Sequence, residues 1–166
     1  IRLIRALVAG CRAQPGLNAW FDGRTARRRV LAKIDVGIAV DLPDGLFVPV
    51  LRDVAHRDAL DLRAGLDRMR ADVKARKIPP EEMRGNTITL SNFGMIAGKY
   101  AAPVVVPPTV AILGAGRVHD AVVAREGKAV VHAILPLSLT FDHRVVTGGE
   151  AARFLAAVID DLERAT

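Results

Sequence analysis

The chain has 166 residues, of which 51% are hydrophobic and 25% charged, and its formal net charge is +6. This length fits one domain with a buried core, and the composition is that of a soluble globular protein rather than a disordered one. Prolines interrupt the longest apolar runs, which fall short of the roughly 18 to 20 apolar residues that a membrane helix needs. We therefore expect no membrane partner.

The positive charge raises the question of nucleic-acid binding, which the rest of the sequence does not favour. The 24 basic residues are interspersed with 18 acidic ones, and only the segment RTARRR (residues 24–29) forms a basic block. No known nucleic-acid-binding motif accompanies this block. A basic rim for a polyanionic small molecule, such as a nucleotide-bearing cofactor, explains the charge equally well.

The single cysteine excludes an internal disulfide and a CxxC metal or redox site. Cys11 falls on the apolar side of a helical pattern, where we expect a small buried side chain, and a reducing compartment fits this usage. The sequence begins at Ile1 within that pattern and without a methionine. We therefore expect a fragment whose N-terminal segment, with any targeting signal, precedes Ile1.

The first half of the chain predicts two helices and two strands. Residues 1–13 form a helical pattern that the sequence QPG ends. Strict alternation of apolar residues from Val30 to Leu42 predicts one long strand, which PDG turns into a second strand, LFVPVLRD, with Pro49 at an edge or a bulge. Asp58 can cap a second helix that extends to about Lys77. Its predicted buried stripe is Leu62, Leu66, Met69 and Val73.

The second half predicts further strands and a final helix. NTITLS is a predicted strand followed by the glycine-rich loop NFGMIAGK, and TVAILGAG is a wholly apolar strand. Residues 119–143 are interpreted as a hairpin around EGK. A last helix over about residues 149–164 is expected to bury Phe154, Leu155, Val158, Ile159 and Leu162. Because the predicted strands and helices do not alternate regularly along the chain, we favour an α+β fold with a mixed sheet packed against helices.

Two residues stand where chemistry could occur. The strand ILPLSLTFDH brings His143 to its C-terminal end, so the side chain is either a catalytic base in a cleft or a histidine bonded to local backbone. Ser91 ends a strand at the glycine-rich loop. Serine is common at such turns for structural reasons, so its position alone does not indicate a functional site. The sequence has no GxSxG, P-loop or GxGxxG motif. His56, His119 and His132 lack metal-ligand spacing and are interpreted as structural.

Five segments in the same order resemble the catalytic domain of the dihydrolipoamide acyltransferases, the core components of 2-oxo acid dehydrogenase complexes. LNAWFDG is similar to that family's Leu-Asn-Ala segment, and DVGIAVDLPDGLFVPVLRD to its strand pair NIGIAV…GL.VPV. PPEEMRGNTITLSNFGMIAG and PVVVPPTVAILGAGRV resemble its EEM.GGTFTISNLG and PVINPPEVAILGVG segments. LSLTFDHRVVTGGEAARFL resembles its LSLS.DHRVVDGA signature, which contains the catalytic histidine.

This resemblance implies a two-layer sandwich of the chloramphenicol acetyltransferase type. Residues 1–166 would form a single catalytic domain that is incomplete at its N-terminus. The lipoyl and peripheral-subunit-binding domains that precede it in the family would be absent. The implied compartment is the bacterial cytoplasm, or the mitochondrial matrix in a eukaryote.

The resemblance also implies an activity. An acyl group would move from dihydrolipoamide to the thiol of coenzyme A, with His143 as the general base and Ser91 as a hydrogen-bond donor to the oxyanion. Coenzyme A and lipoamide, the latter carried on a separate domain, would be substrates, and no metal is needed. The family works as trimers, in some members assembled into a cage, with histidine and serine from neighbouring subunits. Lipoyl domains and the dehydrogenase components are the implied partners.

Two positions depart from the family pattern. Thr147 stands where the signature has an aspartate, which in the chloramphenicol acetyltransferases pairs with an arginine and holds the loop. We expect Thr147 to keep a local hydrogen bond, and Glu150 or Asp142 to serve as the carboxylate partner of a loop arginine such as Arg144. Val106 replaces an asparagine that is frequent in the family, which could alter the acyl pocket.

Two other classes of function stay open at this level. The first is a scaffold member of the same family that has lost activity through the change at Thr147. The second is a free-standing acetyltransferase of the chloramphenicol type, whose signature has a second histidine where this chain has Asp142. The sequence names neither the acyl group, nor the residues that bind coenzyme A, nor the size of any assembly.

Overall fold

A five-stranded mixed sheet is the central feature of the structure, a computed structural model that describes residues 1–43 and 45–164. In chain order, the helices and strands are α1 (Arg2–Ala13), β1 (Ala19–Asp22), β2 (Arg27–Val30), β3 (Val36–Ile38), β4 (Val40–Leu42), β5 (Gly45–Phe47), β6 (Val50–Leu51), α2 (Ala59–Lys74), β7 (Ile88–Ser91), β8 (Ala111–Ala115), β9 (His119–Arg125), β10 (Lys128–Ile134), β11 (Leu137–Phe141) and α3 (Gly148–Glu163). Short 3₁₀ helices span Pro15–Leu17, Val54–His56, Pro80–Met83 and Phe93–Met95.

The central sheet has the strand order β11-β8-β7-β3-β6. Its inner strands β3, β7 and β8 are parallel, whereas the outer strands β6 and β11 are antiparallel to their neighbours. Three two-stranded ribbons accompany it, formed by β1 with β2, β4 with β5, and β9 with β10. The predicted α+β class with a mixed sheet is therefore confirmed.

The core forms where α1 and α3 pack together beside this sheet. A Cβ atom on Gly10 would lie 2.8 Å from the ring of Phe154 and equally close to Val158, so glycine is what allows the two helices to approach. Phe154 and Leu7 are fully buried, together with Ile88 and Leu113 of the sheet. Cys11 is buried as expected, and burial raises the pKa of its thiol to about 12.

The prediction of one long strand from Val30 to Leu42 is wrong. The segment contributes to three strands in three different sheets: β2 ends at Val30, and β3 and β4 follow separately. Between β2 and β3 the backbone is held by a side chain instead of a neighbouring strand, because the Asn18 amide donates to the carbonyls of Leu31 at 2.7 Å and Lys33 at 2.9 Å. Alternation reports local burial and cannot show where pairing partners change.

Two other predicted strands are interrupted at prolines. LFVPVLRD contains β5 and β6, which separate at Pro49, and β6 lies at the sheet edge as the proline indicated. The hairpin around EGK is confirmed for β9 and β10, with Glu126 and Gly127 at positive φ in its turn. Its second arm ends at Ile134, and the residues after Pro136 form β11, which pairs with β8 instead.

The helices match their predicted positions with shifted ends. Asp58 caps α2 as predicted by accepting from the backbone N–H of Asp61 at 2.8 Å, but α2 ends at Lys74 rather than near Lys77. Leu66 in its predicted stripe is half-buried. On α3, Ile159 is 39% exposed rather than buried, because the face packed inward is that of Ala151, Phe154 and Val158. Across residues 1–43 and 45–164, no helix combines the length and apolarity needed to cross a membrane.

Candidate active site

His143 lies in the loop of residues 142–147 that connects β11 to α3. Its side chain is exposed, and its ring contacts the ring of Phe141 with centroids 5.3 Å apart and planes tilted by 44°. Among the residues that the structure describes, the imidazole has no hydrogen-bond partner. The alternative of a histidine bonded to local backbone is therefore not what the structure shows.

The residues on either side of His143 pair with each other. The Arg144 guanidinium binds both oxygens of Asp142, with Nε 2.9 Å from Oδ1 and Nη2 2.6 Å from Oδ2. The side-chain hydrogen bonds from Arg144 lower the pKa of the Asp142 carboxyl, so the pair is ionised at neutral pH. Arg144 also lies 4.6 Å above the ring of Phe21 in a cation–π contact. These contacts fix the backbone around the imidazole.

Thr147 closes the loop as the N-cap of α3. Its hydroxyl accepts from the Glu150 N–H at 3.2 Å, and the Glu150 carboxylate accepts from the Thr147 N–H at 2.7 Å and from its hydroxyl at 2.9 Å. A cap of this kind contributes about 1 kcal/mol. The hydrogen bond from the Thr147 backbone is the largest cause of a lowered pKa at the Glu150 carboxyl.

A third residue of this network, Arg28 on β2, is absent from the sequence-based candidates. Its Nη1 donates to the carbonyl oxygen of Val145 and lies 3.6 Å from Oε1 of Glu150. The sequence pattern TGGE at residues 147–150 is the signature of a capping box and could have identified Glu150. Arg28 is more than a hundred residues away from the loop in the chain, and we find no sequence signal for its contact.

Ser91 is the last residue of β7, is half-buried, and is followed directly by the glycine-rich loop. A Cβ atom on Gly94 would lie 2.0 Å from the carbonyl carbon of Gly116, and one on Gly116 would lie 2.0 Å from the carbonyl oxygen of Lys99. Only glycine permits this backbone-to-backbone contact. The loop is therefore packed onto the end of β8, next to the serine.

Ser91 and His143 lie at opposite ends of the sheet within one chain. β8 separates their strands: Ser91 is in register with Gly114 near its end, whereas Phe141 is in register with Ala111 at its start. At about 3.3 Å per residue and about 4.8 Å per strand, the two positions differ by roughly 10 Å along and roughly 10 Å across the strands. His143 is two residues farther still, so one chain cannot bring both side chains to the same substrate atom.

Two clefts lie near the candidate residues, although neither His143 nor Ser91 is among the residues that line them. The cleft at the His143 loop, about 460 Å³, is lined by apolar residues of the segment 102–107 together with Thr140, Phe141, Asp142 and Arg144. Val105 and Pro107 line it, whereas Val106 is 69% exposed and does not. The cleft near Ser91, about 440 Å³, includes its neighbours Leu90 and Asn92.

The other histidines have no part in this arrangement. His56 lies 2.8 Å from the Asp53 carboxylate, and His119 lies 3.2 Å from the carbonyl oxygen of Arg117. His132 is exposed on β10 opposite Ala121. The described residues contain no group of three or more His, Cys, Asp or Glu side chains that could hold a metal ion.

Comparison with known proteins identifies the family. The family described as 2-oxoacid dehydrogenases acyltransferase (catalytic domain) matches residues 2–166, and the chain belongs to it. The resemblance inferred from the five segments is confirmed.

Relatives named for three acyl groups resemble the chain to a similar degree. The succinyltransferase component of the 2-oxoglutarate dehydrogenase complex of Azotobacter vinelandii is 36% identical over 96% of this chain. The branched-chain lipoamide acyltransferase component of Pseudomonas putida is 40% identical over 98%, and the pyruvate dehydrogenase acetyltransferase component of Mycoplasma capricolum is 34% identical over 98%. The chain spans 37 to 40% of the lengths of these relatives.

Solved structures agree with the fold. The dihydrolipoamide acetyltransferase of Azotobacter vinelandii matches with a TM-score of 0.91 and 34% identity, over 96% of this chain and 66% of that one. The roles of a serine, a histidine and an asparagine in the catalytic mechanism of that enzyme were investigated with this structure. A chloramphenicol acetyltransferase matches with a TM-score of 0.58 and 18% identity, over 98% of this chain and 76% of that one, which supports the shared fold.

Proposed function

We propose that this chain transfers an acyl group between dihydrolipoamide and coenzyme A, with His143 as the general base and Ser91 as the oxyanion donor. The observation that carries the proposal is the placement of the two residues at opposite ends of one sheet, with Ser91 at the end of β7 and His143 in the loop after β11. Family membership supplies the reaction class, and the two residues supply a base and a hydroxyl donor.

Residue spacing supports the assignment. In the Azotobacter acetyltransferase, 52 positions separate the serine from the histidine and four separate the histidine from the asparagine. The same spacings separate Ser91 from His143 and His143 from Thr147. Thr147 therefore stands at a position where a 34% identical enzyme carries an uncharged polar side chain. This favours an active enzyme over one impaired by the loss of an aspartate.

Because a single chain separates the two residues, the working site needs two subunits. His143 of one subunit would face Ser91 of its neighbour, and a closed ring of such contacts gives every subunit the same environment. A homotrimer, either by itself or as part of a larger cage, is the assembly that we propose. The structural match to the cubic core of a pyruvate dehydrogenase complex supports an assembled core.

The chemistry then follows from the two side chains. The His143 imidazole takes the proton of the coenzyme A thiol, and the resulting thiolate attacks the carbonyl carbon of the acyl thioester on dihydrolipoamide. The Ser91 hydroxyl donates a hydrogen bond to the tetrahedral oxyanion. Collapse of this intermediate breaks the bond to the dihydrolipoamide sulfur, which takes the proton back from the imidazolium. No metal and no covalent enzyme intermediate are required.

The partners follow from the substrates. A lipoyl domain would deliver the acyl group, and the dehydrogenase components of the complex would load and reoxidise it. The arginine excess suits the phosphates of coenzyme A. We expect the reaction in the bacterial cytoplasm or the mitochondrial matrix.

The alternative is a scaffold without activity. The change at Thr147 is the observation that favours it, because a lost loop contact could leave His143 misplaced. A Thr147→Asp variant tests this directly. A rise in activity by orders of magnitude would identify the natural chain as an impaired enzyme, whereas measurable transfer by the natural chain that is unchanged or lower in the variant supports the proposed function.

An assay of acyl transfer to dihydrolipoamide tests the function and names the acyl group. Acetyl-, succinyl- and isobutyryl-coenzyme A are offered separately to the full-length protein, after its assembly has been verified by light scattering. We expect transfer from at least one of them, and a clear preference identifies the 2-oxo acid. No transfer from any of the three by an assembled protein would contradict the proposal and support the scaffold.

A further inference from the structure

The β1–β2 ribbon holds the His143 loop at two points. Phe21 on β1 and Arg28 on β2 are directly opposite each other in the register of this ribbon, so their side chains share one face. Phe21 lies under the Arg144 guanidinium, and Arg28 donates to the carbonyl oxygen of Val145. The two residues that follow His143 are thus both fastened to the same ribbon.

Arg28 also reaches the first turn of α3. Its Nη1, the nitrogen that contacts Val145, lies 3.6 Å from Oε1 of Glu150, whose other oxygen accepts both hydrogen bonds from Thr147. The Arg28 and Glu150 side chains are 33% and 24% exposed, so both are partly shielded from solvent. Gly16 leaves room for this pair, since a Cβ atom there would lie 3.0 Å from Nη1 of Arg28 and 3.3 Å from Oε1 of Glu150.

We propose that Arg28, acting through Val145 and the Glu150–Thr147 cap, is a positioning residue for His143. This inference rests on the proposed function. The uncharged Thr147 cannot itself pair with a cation, and at its end of the loop the arginine–carboxylate contact is that between Arg28 and Glu150. Val146, which lies between Val145 and Thr147, is 1% exposed. The loop is therefore held by the burial of Val146 in the core and by the contacts of Arg28 at the surface. A shift of the loop would move the imidazole relative to the thiol.

The contacts of Arg28 distinguish it from its neighbours in the basic block. Arg27 and Arg29 alternate to the other face of the ribbon, and neither contributes an ion pair in the described part of the chain. Arg28 has its guanidinium engaged by a carbonyl and a carboxylate. Both contacts are made by Nη1 and tie the side chain to the His143 loop and to α3, which favours positioning.

Steady-state kinetics of Arg28→Ala, Arg28→Lys and Glu150→Gln test the inference. We expect Arg28→Ala to lower kcat about ten- to a hundredfold, since small misplacements of a catalytic group have effects of this size, while the KM for coenzyme A changes less than about twofold. Arg28→Lys should recover part of kcat. The kcat of the double variant Arg28→Ala/Glu150→Gln should be only a little lower than that of Arg28→Ala alone, because both changes break the same contact between Arg28 and Glu150.

The matched control is Arg63→Ala. Arg63 pairs with Asp67 on α2 at 3.7 Å, so this variant removes the same charge and a similar ion pair away from the loop. Its kcat should equal that of the natural protein. A raised KM with unchanged kcat in Arg28→Ala would overturn positioning in favour of phosphate binding, and fully additive losses in the double variant would also contradict it.

A measurement without turnover separates this inference from the proposed function. Amide hydrogen exchange of residues 143–147 should become about tenfold faster in Arg28→Ala and stay unchanged in Arg63→Ala. If the natural protein transfers no acyl group yet exchange accelerates, the proposed function fails and Arg28 is a loop anchor without a catalytic purpose. If exchange and kcat are both unchanged, the inference on Arg28 is wrong while the proposed function stands.

Discussion

Replacement of His143 by alanine is expected to lower kcat of the assembled protein by about a hundred- to ten-thousandfold, the range that a general base typically contributes. The exposed imidazole lies at the end of β11 in a loop held by the Asp142–Arg144 pair and by the cap at Thr147. Without it, no side chain of the loop that the structure describes can take the thiol proton. Single-turnover transfer from acyl-coenzyme A to dihydrolipoamide measures the loss.

The matched control for this variant is His132→Ala. His132 is exposed on β10 and is one of the three histidines without a part in the candidate site. Its replacement should leave kcat unchanged and shows what the loss of a surface histidine does by itself. Equal activity of His143→Ala and His132→Ala would refute the assignment of the base.

Replacement of Ser91 by alanine is expected to lower kcat about a hundred- to thousandfold, the usual effect of losing one oxyanion donor. The effect should fall on kcat with little change in KM, because the oxyanion exists only in the transition state and the intermediate. The loop that follows Ser91 is held by the backbone contact between Gly94 and Gly116, which the substitution does not touch, so the loop should stay in place. The same single-turnover assay separates chemistry from binding.

The only other serine of the chain provides the control for Ser91. Ser138 lies on β11, and its hydroxyl accepts from the backbone N–H of Ala101 at 3.3 Å. Ser138→Ala removes a hydroxyl from the same sheet without touching the oxyanion. Comparable losses in both variants would mean that Ser91 acts through the sheet and not on the substrate.

Local signals predicted the elements whose partners are close in the chain. The cap at Asp58, the apolar strand β8 and the turn at Glu126 and Gly127 are each determined by a few consecutive residues. The segment from Val30 to Leu42 was mispredicted because its strands pair with β1, β6, β7 and β5 in turn. Alternation records which side chains are apolar and carries no information on such changes of partner.

The residues of the candidate site could likewise be predicted from the sequence more readily than their positions relative to each other. The segments around His143 and Ser91 predicted both residues as site residues by resemblance, and Glu150 could have been found from the capping pattern. That the two residues lie at opposite ends of β8 is a consequence of strand order and direction, which the sequence does not display. The contact of Arg28 with the loop likewise exists only in the folded chain.

The most direct test of a site shared between subunits is complementation of two inactive variants. His143→Ala and Ser91→Ala chains carrying different affinity tags are co-expressed, and mixed trimers are isolated through both tags. In every mixed trimer, whether it holds one or two copies of each variant, about one of the three sites combines an intact histidine from one chain with an intact serine from its neighbour. We predict activity near a third of that of the natural protein. Activity no higher than that of the separate variants would contradict the shared site.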